Sequence, residues 1–70
     1  KRKFGKLLVK SNQEIILTGE CTIMEEIEIQ KGGTLIIRGA EIIFAENAGI
    51  VCEGILIAED SEFKPIHDQW

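Results

Sequence analysis

Between Gly32 and Asp60 the chain reads GGTLIIRGAEIIFAENAGIVCEGILIAED, short aliphatic pieces divided by glycine or by Asn-Ala-Gly, in places only five or six residues apart. Residues two apart share one face of a strand. On that rule Ile15/Leu17, Cys21/Ile23, Ile27/Ile29, Leu35/Ile37, Ile42/Phe44, Ile50/Cys52 and Leu56/Ala58 each set two apolar or small side chains on one side. Ile16, Ile36, Ile43, Val51 and Ile57 add apolar residues to the opposite side. These pieces are rich in β-branched residues, which favour a pleated surface. No apolar stripe of helical spacing runs through the body, so the body is all-β.

The punctuation narrows the choice further. Gly19, Gly32-Gly33, Gly39, Asn47-Ala48-Gly49 and Gly54 stand where the chain must bend sharply or reach positive φ. The intervals are too short for ordinary hairpin strands with loops, and two-residue hairpin signals such as Asn-Gly are missing. A chain that turns a corner after each short strand, and stacks each coil on the last, satisfies the pattern. Gly33-Thr-Leu-Ile-Ile-Arg-Gly39 aligns with Ala48-Gly-Ile-Val-Cys-Glu-Gly54, and TIMEEIEIQKGG resembles a looser version of the unit. Self-similarity at about 15 to 22 residues reads as a solenoid, in which neighbouring coils cover one another. In the alignment Arg38 falls opposite Glu53, which predicts an ion pair between coils, and Asn47 is expected to be a left-handed turn residue.

These residues carry a resemblance. Gly33, Leu35, Ile37, Gly39-Ala40, Ile42, Phe44, Ala48-Gly49-Ile50, Gly54, Leu56, Ala58 and Pro65-Ile66 match a run common in right-handed parallel β-helix proteins of the pectin-lyase-like kind. The similarity spans roughly residues 19–66. It implies a short right-handed parallel β-helix of about three coils, and it is silent on activity, because the pattern recurs in enzymes, adhesins and other surface proteins. The expected organisation is 1–13 as a basic N-terminal cap or first strand, 14–66 as the coils and 67–70 as a tail. In proteins of this kind Pro-Ile is often followed by a Trp that opens another coil, which draws attention to Trp70.

Charge and length limit the functions open to such a module. Residues 1–10 hold five cations and no acid, whereas residues 11–70 hold three basic and twelve acidic side chains. An acidic body disfavours nucleic acid and anionic membrane as partners. No apolar run approaches the ~20 residues of a membrane helix. No hydrophobic leader is legible in the 70 residues, and a start at Lys1 rather than Met suggests an excised or processed piece, so localisation stays open. Cys21 and Cys52 lie inside aliphatic runs and are expected to be buried free thiols, not a bridge. One histidine and no CxxC leave zinc without a ligand set, and no cofactor is implied.

Candidate chemistry is sparse. Glu25, Glu26 and Glu28, like Glu59, Asp60 and Glu62, alternate with inward aliphatics and read as a solvated face before they read as a calcium site or a catalytic pair. His67 beside Asp68 has no positioned nucleophile, since Ser11 and Ser61 both sit in turns. Gly32-Gly33 precedes a strand and is no phosphate loop. The ends are more informative. Phe4, Leu7 and Leu8 would share one side of an amphipathic turn laid over the first coil, or KLLVK is a first strand. Phe63, Ile66 and Trp70 form the apolar group of the other end. The six together are the candidate interface of a non-enzymatic structural module that self-associates or stacks on other β-helix. The alternative is an N-terminal fragment of a larger extracellular carbohydrate-binding or carbohydrate-processing β-helix, with carbohydrate as the secondary partner.

Overall fold

The computed structural model describes residues 1–67. They form six strands and no helix: β1 (Arg2–Val9), β2 (Glu14–Ile29), β3 (Thr34–Phe44), β4 (Gly49–Cys52), β5 (Ile55–Glu59) and β6 (Glu62–Pro65). Every pairing among them is parallel, β1 on β2, β2 on β3 and β4, β3 on β5 and β6. One long strand bends around corners and meets different neighbours on different sides. The result is a parallel β-solenoid of about three turns.

The register defines three faces. Residues 14–17, 34–37 and 55–58 stack on the first. On the second, Arg2, Cys21, Ile42 and Phe63 form one column and Phe4, Ile23, Phe44 and Pro65 another. On the third, Leu7, Ile27 and Ile50 form a column beside Val9, Ile29 and Cys52. The coil length is therefore 19 to 23 residues, as Arg2 on Cys21 and Ile27 on Ile50 show. The shorter alignment of Gly33–Gly39 with Ala48–Gly54 fails for a simple reason: Thr34 to Arg38 pair with Ile55 to Glu59, while Gly49 to Cys52 pair with Glu26 to Ile29. It superposed two faces, because each face carries the same alternation.

KLLVK is a strand. Parallel pairing to β2 gives its backbone partners that an isolated amphipathic turn lacks, and it turns Leu7 and Val9 inward. The first face meets the second at one recurring corner, where Gly19, Gly39 and Asp60 take φ of 73°, 57° and 50°. A left-handed residue there bends the chain from one face onto the next in one step, and glycine does so without the Cβ clash. The third face meets the first through a turn in which Asn12 and Gly32 are both left-handed, and the Asn12 N–H donates to the Gly32 carbonyl at 3.0 Å. Asn47 is left-handed as well, at φ 70°.

The core is the column of inward side chains. Val9, Leu17, Cys21, Ile23, Ile27, Ile29, Leu35, Ile37 and Ile42 are fully buried, and no polar side chain among the described residues joins them. Each buried aliphatic contributes roughly 1.5–3 kcal/mol relative to exposure. Burial by axial neighbours explains how pieces this short are covered.

Candidate interaction surface

The two ends of the solenoid differ. On the first coil Val9 and Leu17 are fully enclosed and Phe4 and Ile15 are half-buried. Arg2 occupies an inward column, above Cys21, yet its guanidinium lies 5.0 Å from the Phe4 ring centroid. A charged side chain folded over an aromatic at the first coil covers apolar surface and discourages unwanted edge pairing. Leu8 alternates outward and is half-buried.

The last described coil is left open. Ile50 and Leu56 are only half-buried and Cys52 and Ala58 are exposed, although all four hold inward positions in the register. Cys52 thus departs from the expected burial, because it lies on the last described coil with Ile29 beneath it and no further described coil above. Cys21, between Arg2 and Ile42, is the buried thiol. Phe44, Ala48, Gly49, Ile50, Leu56 and Phe63 line an open apolar hollow of about 380 Å³ in this end. A second hollow of about 390 Å³ adjoins it at Phe44 and Ala48, bounded by Glu46, Asn47, Pro65, Ile66 and His67. Phe63 is 40% exposed and Ile66 44%. Trp70 and Asp68 lie outside the described residues.

Polar residues sort onto the outer surface. Lys6 reaches Glu28 at 2.9 Å and Glu26 at 3.6 Å, so two of the clustered acids are held by one lysine. Lys64 pairs with Glu41 and lies 3.9 Å from Glu62. Arg38 Nε donates to Glu59 Oε1 at 3.0 Å, and not to Glu53 as the shorter repeat predicted. The reason is the register, in which Glu59 follows Arg38 directly on the first face. Bonds to the side-chain carboxylates of Glu28 and Glu41 raise the Lys6 and Lys64 pKa values above their ordinary range. Ser61 is a corner residue: its hydroxyl accepts the Ala40 N–H at 3.1 Å and donates to the Glu59 carbonyl at 2.7 Å. No group of three His, Cys, Asp or Glu able to hold a metal ion lies together among the described residues.

The structure thus separates five of the six candidate interface residues, the sixth, Trp70, lying outside the described residues. Phe4 and Leu7 belong to the first coil's interior, Leu8 to its outside, and Phe63 and Ile66 to the rim of the open end. Ile50, Cys52, Leu56 and Ala58 were not singled out from the sequence for this role, since their alternation is that of any buried pair. No family model matches the chain, and neither the curated proteins nor the solved structures give a significant match.

Proposed function

We propose that the chain is a non-enzymatic structural module that self-associates through its open C-terminal coil. One observation carries this reading: inward residues that are enclosed elsewhere in the solenoid are uncovered at Ile50, Cys52, Leu56 and Ala58, beside a hollow of about 380 Å³. Among the described residues, strands β4, β5 and β6 each pair with a single strand, so each also has a free edge of backbone donors and acceptors. Apolar core and free edge together favour a partner made of β-structure. The acids nearest one another are paired with Lys6, Lys64 and Arg38, which supports a surface role for them over acid–base catalysis.

The same open coil also suits a second reading, in which further coils follow and the chain is part of a pectin-lyase-like carbohydrate-binding or carbohydrate-processing protein. Sedimentation equilibrium over a wide concentration range tests the first reading. Self-association is expected in the native chain, and Phe63→Asp, which sets a charge on the rim, is expected to weaken it by at least about tenfold. A native chain that stays monomeric throughout, or a Phe63→Asp chain that assembles unchanged, overturns it. A glycan array and a calcium titration should be blank under the first reading and positive under the second.

A further inference from the structure

We infer that the surface which covers the open C-terminal coil is the same coil of a second copy, docked tail to tail about a two-fold axis. In that dimer β5 pairs antiparallel with its own counterpart, and β6 of each copy with β4 of the other. This rests on the reading of the C-terminal coil as the docking end, and it adds the partner, its orientation and its register.

The two ends decide the partner surface. On the first coil Val9 and Leu17 are fully buried, Leu7 is nearly so and Arg2 folds over Phe4, so that end keeps its core enclosed. On the last described coil the inward Ile50 and Leu56 are half-buried and Cys52 and Ala58 exposed. A second copy therefore offers matching uncovered core only at its own C-terminal coil. The area suffices. Strands stacked about 4.8 Å apart make four layers roughly 15 Å tall, so the 34 and 23 Å extents of the molecule span its cross-section. An end of that outline covers roughly 600 Å², and two copies bury on the order of 1,200 Å² between them, the lower edge of the range for specific, stable interfaces.

The shape of this end fits its own copy. β4, β5 and β6 make up the last turn, one strand on each face, and rise along the axis in chain order, β4 lowest and β6 highest. A two-fold axis through the middle strand sets β5 on β5 and exchanges the other two. The low β4 of each copy then meets the high β6 of the other, and no layer is left unfilled. Hydrogen bonding fixes the register. The Glu53, Ile55 and Ile66 N–H groups are spent on the Ile29, Gly33 and Phe44 carbonyls beneath them. In the alternation of a parallel strand, Ile50, Cys52, Leu56, Ala58 and Phe63 therefore turn their N–H and C=O groups to the free edge. Leu56 exchanges both bonds with Ala58 of the second copy, which sets Ile57 opposite Ile57. On the adjoining face Phe63 pairs with Cys52 of the second copy, and its ring, 40% exposed in the single chain, lies over that copy's Ile50. Pro65 has no N–H to give, which removes one hydrogen bond from this edge.

Cross-linking of the full chain tests the register, in a Cys52→Ser background where Cys21 stays buried. Ile57→Cys sets two thiols opposite each other at a non-hydrogen-bonded antiparallel pair, with Cα atoms about 4.5 Å apart, inside the range that a disulfide spans. Ile16, outward on the same face of the first coil, serves as the control. Ile57 is 41% exposed and Ile16 49%, so neither substitution removes core. With oxidised glutathione, Ile57→Cys is expected to form a disulfide dimer at least about tenfold faster than Ile16→Cys. Sedimentation equilibrium of the native chain is expected to stop at the dimer, because an isologous contact closes on itself. Residues 46–67 hold five acids and one lysine, so two such ends repel, and association should tighten severalfold as salt rises from about 0.05 to about 0.5 M. If Phe63→Asp abolishes association while Ile57→Cys cross-links no faster than Ile16→Cys, the C-terminal coil docks on another surface and the inference falls alone. Assembly beyond the dimer, or association that loosens with salt, has the same consequence. A native chain that never associates, or association indifferent to Phe63→Asp, removes the docking end itself, and both statements fall together.

Discussion

Phe44 and Phe63 stack between the last two coils of the second face, with ring centroids 6.1 Å apart and planes 17° from parallel. Phe44 is nearly buried within the core, whereas Phe63 is at the rim and exposed on one side. The pair therefore ties the least covered coil to the best covered part of the molecule. Stacked aromatics contribute roughly 0.5–1.5 kcal/mol beyond the area that they bury. Phe63→Ala should cost about 1–2 kcal/mol, less than the roughly 2–5 kcal/mol typical of removing a fully buried aliphatic such as Ile37. Urea unfolding of the two variants below the association range decides this. Equal costs would mean that the Phe63 ring is far more enclosed than the rim position allows.

Two glycines separate steric need from mere frequency. A Cβ on Gly33 would lie 2.7 Å from the Lys10 carbonyl oxygen and 3.0 Å from that of Val9, which accept from the Gln13 and Gln30 N–H groups, while one on Gly49 meets nothing within 4 Å. Gly33→Ala is expected to destabilise by about 1–3 kcal/mol. Gly49→Ala should be neutral, or stabilising by up to about 1 kcal/mol, because alanine restricts the unfolded chain. Thermal melts that ranked the two in the opposite order would contradict the packing at the turn.

The thiols should differ in reactivity. Cys52 is exposed on the open coil and Cys21 is enclosed between Arg2 and Ile42. In the folded chain a maleimide is expected to label Cys52 at once and Cys21 only as the solenoid opens. Mass spectrometry of a labelling time course distinguishes the sites. Because Cys52 lies on the open coil proposed to dock, its adduct should also weaken self-association, and labelled chains that assemble as before would argue against that proposal.

Alkaline pH bears on the two lysine bridges. Bonds to Glu28 and Glu41 raise the pKa of Lys6 and Lys64 in the folded chain above the ordinary 10.5. A raised folded value means that the contribution to stability is complete below the unfolded pKa and is lost as pH rises through the folded one. The melting temperature is therefore expected to fall above about pH 10.5, and less steeply in a Lys6→Met/Lys64→Met chain. Both side chains are exposed, so the effect is small and shrinks with salt. An identical alkaline decline in both proteins would assign it to other groups.

Alternation and corner residues are local properties, and the sequence by itself determined their direct consequences. Inward Leu35/Ile37 and Ile42/Phe44, a left-handed Asn47, and an all-β stack of short strands can all be read without coordinates. The coil length could not be, because all three faces carry the same two-residue alternation and differ only in which neighbours they meet. Arg38 consequently finds Glu59 and not Glu53. Burial too was decided by the tertiary structure. Ile50/Cys52 alternates as Ile27/Ile29 does, and its register places it directly on that pair, yet Ile27 and Ile29 are fully buried and Cys52 is exposed. In a solenoid a side chain's direction is set by its own strand, but its cover depends on what packs over it along the axis, and Val9 and Leu17 of the first coil are enclosed where Cys52 is not. Alternation therefore specifies which way Cys52 faces, and only the stacking order decides whether anything lies above it.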